Sequence, residues 1–223
     1  MTDLFNNPLG FVYWIAALVI AITIHEFAHA WSADRLGDPT PRLQGRLTLN
    51  PLAHLDPLGT ILLLLVRFGW GKPVVFDPYN LRHPRRDAAI ISLAGPVSNL
   101  LLALACSLVL HILFNTRLAL WEMGSMGLIG FFVAEFGKTL IALNVILAIF
   151  NLLPVHPLDG FKIVGGMLPE DKAREWYQLE RYGMIFLLFL LFPIFGNVAP
   201  ITQIISPIIS FVLSILLPSA PLI

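Results

Sequence analysis

The chain has 223 residues, 57% of them hydrophobic and 13% charged, with a mean hydropathy of +0.80. Average soluble domains carry about 25% charged and roughly 45–50% apolar residues, so this composition belongs to an integral membrane protein whose side chains face lipid or one another. Lys plus Arg and Asp plus Glu balance at 14 each, which leaves no basic footprint for nucleic acid, and the single cysteine, Cys106, excludes an internal disulfide and a CxxC metal site.

The N-terminus carries Asp3 and neither Lys nor Arg before the first apolar stretch. That is the wrong sign for a signal peptide, so the first stretch is expected to stay in the mature chain. About 20 apolar residues cross a bilayer core as a helix, and residues 11–31, 88–114, 127–153 and the uncharged tail 182–223 meet or approach that length. Residues 58–68 are too few to span upright and read as a re-entrant segment. Before them, Arg42 to Leu49 alternates polar and apolar residues, which predicts a short strand paired with Lys72 to Asp77. In the tail, Pro193, Gly196, Asn197, Pro200 and Pro207 predict two short helices or one kinked one. The expected fold is an all-α polytopic membrane protein of about four to six transmembrane helices, with a re-entrant segment and a short β-hairpin near the cytoplasmic face.

The basic residues orient this bundle. Eight lie in 32–87 and four in 154–182, leaving only Arg117 and Lys138 elsewhere. If 58–68 does not span, both groups fall on one face, which the positive-inside rule makes cytoplasmic. Lys138 and Glu135, three residues apart on one helix, are expected to neutralise each other.

Near the end of the first span stands His25-Glu26-Phe27-Ala28-His29, an HExxH pattern. Residues four apart share a helix face, so His25 and His29 can present two imidazoles to one zinc ion, with Glu26 placed to take a proton from water. A catalytic zinc generally takes three protein ligands. The candidates for the third are Asp34, His54, Asp56, His156 and Asp159. His54 lies at a spacing that some soluble zinc proteases use. Asp159 is favoured because two prolines, Pro154 and Pro157, end a span just before it, and Gly160 permits a tight turn after it. The same non-spanning assumption that gathers the basic residues brings Asp159 to the face of His25 and His29. At 1.5 Å per residue, the site is expected about 10 Å below that surface.

His25-Glu26-x-x-His29, with Asn151-x-x-Pro154-x-x-Pro157-x-Asp159-Gly160 at the end of a later span and Gly95-Pro96-x-x-Asn99 between them, resembles the site-2 protease family of intramembrane zinc metalloproteases, in a compact form without PDZ or CBS domains. The resemblance covers about 11–165. It implies one Zn2+ per chain on His25, His29 and Asp159, Glu26 as general base, and Asn151 as a substrate or oxyanion contact. It also implies a single membrane-embedded protease domain over 1–223, with a catalytic core at about 11–165 and a C-terminal helical segment at 182–217. The expected enzyme is a zinc metalloendopeptidase that hydrolyses transmembrane proteins or membrane-retained peptides, in the cell membrane if the source is bacterial, with its site towards the cytoplasm. The strand around Leu43 to Leu49 would offer an edge to an unwound substrate. Asn144, about two helical turns before Asn151, shares its face and either amide could donate to the oxyanion; the other reading of Asn144, and of Asn99, is interhelical hydrogen bonding. A metal transporter using the same His and Asp residues and a catalytically inactive homologue are the rival readings. The first needs a polar path to the far face, and the second sits poorly with an intact Glu26.

Overall fold

A computed structural model of the chain describes residues 7–66, 69–115, 125–193 and 197–217. The expectations for Asp3, Arg67, Arg117 and Gly196 lie outside these residues. The elements are helical: α1 (Pro8–Arg35), the single turn α2 (Thr40–Leu43), α3 (Pro57–Val66), α4 (Pro84–Asn115), α5 (Ser125–Asn151), α6 (Asp159–Met167), α7 (Glu170–Gln178), α8 (Glu180–Leu191) and α9 (Pro200–Leu216).

Three of these are long and apolar enough to cross a bilayer: α1, Pro84–Leu113 of α4 and Ile129–Asn151 of α5. The count among the described residues is below the expected four to six. The tail is divided between Leu191 and Pro200, so α8 has 12 residues and α9 has 17, and α3 has 10. Ten residues rise only about 15 Å, half a hydrocarbon core.

Lipid does not drive apolar helices together, so close packing needs small residues. On α1 the row Ala17, Ala21, His25, His29, Ala33 runs at spacings of four and is buried throughout. It packs against α4 and α5, so the two histidines face the interior of the three-helix layer rather than lipid. A second cluster joins Ala103 and Leu110 of α4, Ile141, Val145 and Ile149 of α5, and Ile201 and Ile205 of α9. Lys138 and Glu135 form the expected ion pair, at 3.0 Å.

No strand forms among the described residues, so the β-hairpin expectation is corrected. Gly45 adopts φ +69°, a left-handed conformation that breaks an extended run, and Thr40–Leu43 is a helical turn. Burial also inverts the amphipathic pattern: Leu43 and Leu49 are exposed while Arg46 points inward. With no strand at Leu43 to Leu49, the proposed substrate edge there is withdrawn. Residues 71–72 pair instead with 54–55, through one bridge between Leu55 and Gly71 and a Lys72 N–H to His54 C=O bond of 2.8 Å.

From that bridge, 72–77 runs across the mouth of the histidine site and is anchored at its far end by Asp38. This fully buried carboxylate accepts hydrogen bonds from the Thr40 N–H and hydroxyl, the Asp77 N–H (2.7 Å) and the Asn80 side chain (2.8 Å). Burial alone would raise its pKa, but the hydrogen bonds outweigh it and hold the carboxyl below its ordinary value. A depressed folded pKa stabilises the fold above the unfolded value, near pH 4, and that contribution is lost as pH falls through the folded one. Asp38→Asn is therefore expected to lower stability at neutral pH by about 1–3 kcal/mol and to flatten the acid limb of thermal unfolding followed in detergent. An unchanged acid limb would contradict this role.

Candidate metalloprotease site

The structure brings His25, His29 and Asp159 together, with one ligand atom from each lying within 4.8 Å of the others. His25 Nε2 is 3.1 Å and His29 Nε2 3.3 Å from Asp159 Oδ2, and the two Nε2 atoms are 3.0 Å apart. Donors about 2.0–2.1 Å from a tetrahedral zinc are about 3.3 Å from one another, so the set fits such an ion.

The outer contacts of the rings fix their tautomers. His29 Nδ1 lies 2.7 Å from the Ile91 carbonyl, which can only accept, so Nδ1 carries the proton. His25 Nδ1 lies 2.6 Å from Asn99 Oδ1. The Asn99 amide is oriented because its nitrogen donates to the Ala21 carbonyl (3.0 Å) and to Asn144 Oδ1 (2.7 Å), and Asn144 in turn donates to Leu140 C=O. Both rings thus turn an unprotonated Nε2 inward. Two lone pairs facing each other at 3.0 Å are reconciled only by positive charge between them, a shared proton or a metal ion. Asn99 and Asn144 are interhelical, as expected, and they also aim His25.

Two glycines allow this closeness. A Cβ on Gly95 would lie 2.5 Å from His29 Nε2 and 2.7 Å from His25 Cε1. A Cβ on Gly160 would lie 2.2 Å from the Leu152 carbonyl, so the end of α5 can sit on the start of α6 and carry Asp159 to the histidines. The reason for Gly160 is close approach rather than the turn freedom expected, since positive φ occurs at Gly37 and Gly45.

The rival third ligands are engaged elsewhere. Asp34 is bidentate with Arg42, and Asp56 caps the Gly59 N–H. His156 Nδ1 faces Glu180 at 3.7 Å. His54 is fully buried and donates from Nε2 to the Thr48 carbonyl at 2.7 Å. Glu26 and Asn151 line the same small cavity as the histidines and Asp159, of about 130 Å³. Glu26 Oε2 accepts from the Val74 N–H at 3.0 Å and lies 3.5 Å from Arg46 Nη2. Asn151 spends one amide hydrogen on the Leu147 carbonyl. Arg46, Val74 and Lys162 at this site carry no motif, and sequence reasoning did not find them.

Comparison with known proteins points to metal-dependent proteolysis. The chain is 41% identical over 184 residues to a Bacillus subtilis (strain 168) protein named "Putative zinc metalloprotease YwhC", covering 82% of each chain. The profile described as "Peptidase family M50", the site-2 protease family, matches residues 123–192, which include Asn151 and Asp159. The chain belongs to peptidase family M50. This M50 chain is also 30% identical over 193 residues to "Putative zinc metalloprotease Rip2" of Mycolicibacterium smegmatis, covering 81% of this chain and 67% of the relative. No solved structure matches it. M50 membership makes the chain a zinc metalloendopeptidase, and its three long apolar helices are consistent with a multi-pass membrane protein.

Proposed function

We propose that the chain is an intramembrane endopeptidase that uses one zinc ion, held by His25, His29 and Asp159, to cut transmembrane proteins or membrane-retained peptides close to the cytoplasmic face. The observation that carries this reading is that the ligand pair sits inside a candidate span, six and ten residues before its end at Arg35, a depth of about 9–15 Å. The cytoplasmic side is inferred from the basic residues. With α3 too short to span, the end of α1, the start of α4 and the end of α5 share a face with most of the Lys and Arg. In a bacterium this face is the inner side of the cell membrane. We read 1–223 as one protease domain, with its catalytic core at about 11–165, α3 as a re-entrant segment and 182–217 as a flanking helical segment.

When bound, zinc supplies Lewis-acid chemistry, polarising a scissile carbonyl and acidifying water. Glu26 is the base: with Oε2 held by Val74 and Arg46, its carboxylate takes the proton of the attacking water and returns it to the leaving amine. Asn151 has a second amide hydrogen for the developing oxyanion. A helix about 10–12 Å across cannot enter a cavity of about 130 Å³, so the substrate is cut only once unwound to an extended strand. Beside the site, a cleft of about 600 Å³ shares Pro73, Val74, Phe76 and Lys162 with it and continues past Val75 and Ala88, an apolar bed for the side chains of such a strand.

The test uses purified, zinc-loaded chain in liposomes with a single-span substrate, and mass spectrometry of the products. The reading predicts a cut within the substrate's apolar segment near the cytoplasmic end, stopped by chelation and restored by zinc. Cleavage confined to soluble loops would refute it.

A further inference from the structure

Arg46 is 3% exposed, an unusual place for a guanidinium, which stays charged and is costly to bury unless paired. Gly45, at φ +69°, turns the chain so that Arg46 enters the protein beneath α1. There Nη1 donates to the Ala53 carbonyl at 2.8 Å, and Nη2 donates to the Lys72 carbonyl and lies 3.5 Å from Glu26 Oε2. Nε has no partner among the described residues. Glu26 Oε2 also takes the Val74 N–H, two residues along from the carbonyl that Arg46 holds. One guanidinium therefore joins the 53 and 72 segments to the same oxygen of Glu26, while among the described residues no donor is directed at Oε1.

We propose that Arg46 is a positioning residue for the reaction: it holds Glu26 Oε2 and the 72–74 segment in register, so that the carboxylate lining the cavity is fixed in place as the proton acceptor. This rests on the reading of Glu26 as the base. A carboxylate with one oxygen doubly engaged has lost rotation about its last torsion, so its orientation is set before substrate arrives. The bridging carbonyls explain why the residue is an arginine. Its planar fork reaches two carbonyls and a carboxylate together, whereas an ammonium is a point charge.

The experiment compares Arg46→Gln and Arg46→Lys with wild type in the reconstituted cleavage assay, alongside zinc content and amide hydrogen exchange of the zinc-free proteins. Misplacement of about 1 Å costs about 100-fold in rate, so Arg46→Gln is expected to lose about 100-fold in kcat with KM and zinc content near wild type. Arg46→Lys, which keeps the charge, should recover part of that loss. In the zinc-free proteins, exchange at 72–76 should quicken in Arg46→Gln and lie between the two in Arg46→Lys. An unchanged kcat in zinc-loaded Arg46→Gln would overturn the proposal. So would equal losses in both variants that track zinc content or melting temperature, because Arg46 would then be a structural staple only. Glu26→Gln run in parallel separates the two levels. If it still cleaves, the base assignment fails; if it is inactive while Arg46→Gln is fully active, only the role of Arg46 fails.

Discussion

Gly95→Ala is expected to abolish zinc binding, and cleavage with it, while leaving the helical content intact. The added methyl would stand 2.5 Å from His29 Cε1 and Nε2 and 2.7 Å from His25 Cε1, and neither ring can simply swing aside. Both are tethered to the helix that carries Gly95, His29 through the Ile91 carbonyl and His25 through Asn99, so moving them off α4 breaks the hydrogen bonds that fix their tautomers. Loss of one outer partner of a metal ligand costs about 10–100-fold in affinity, and here two go together with the ligand geometry. Leu93→Ala, an exposed change on the same helix, serves as the control and should bind zinc normally. Wild-type zinc content in Gly95→Ala would mean that the two rings do not approach α4 as described.

A comparably large effect is expected from Asp159→Asn. Asp159 Oδ2 is the atom that completes the triangle with the two Nε2 atoms, and an amide in its place has no negative charge to set against a divalent ion. Zinc content should fall at least about tenfold. His54→Asn is the informative comparison, since His54 lies at a plausible spacing in the sequence yet is committed to the Thr48 carbonyl. Its loss should lower the melting temperature, by removing a buried hydrogen bond worth about 1 kcal/mol and a buried ring, and leave zinc bound. A greater loss of zinc from His54→Asn than from Asp159→Asn would overturn the ligand set.

Much of this architecture was legible in the residues because it depends on local periodicity. The spans follow from apolar runs, and the pairing of His25 with His29 follows from the pitch of a helix. Asp159, about 130 residues along the chain from the histidines, was marked by the prolines and glycine around it and independently by topology, which restricts which ends share a face and for which the shortness of α3 was the decisive count. The polar stretch after α1 misled for a physical reason. Alternation from Arg42 to Leu49 mimics a strand, but a left-handed Gly45 and an inward-facing Arg46 answer to long-range partners that spacing does not encode. Asp38 is similar, since its partners Asp77 and Asn80 lie about 40 residues away and meet it only after the chain has folded back over the site. Asn99 was visible as a polar residue in a span, whereas its task of aiming His25 needed the ring's orientation.

The most direct test of the central claim is the Glu26→Gln chain, purified with zinc, reconstituted with a single-span substrate and assayed for metal and product in the same sample. The account predicts zinc at the wild-type level, because Glu26 is not among the three ligand atoms, together with cleavage lowered by about 10²–10⁴-fold, the usual contribution of general acid–base catalysis. Cleavage at the wild-type rate with zinc in place would contradict it.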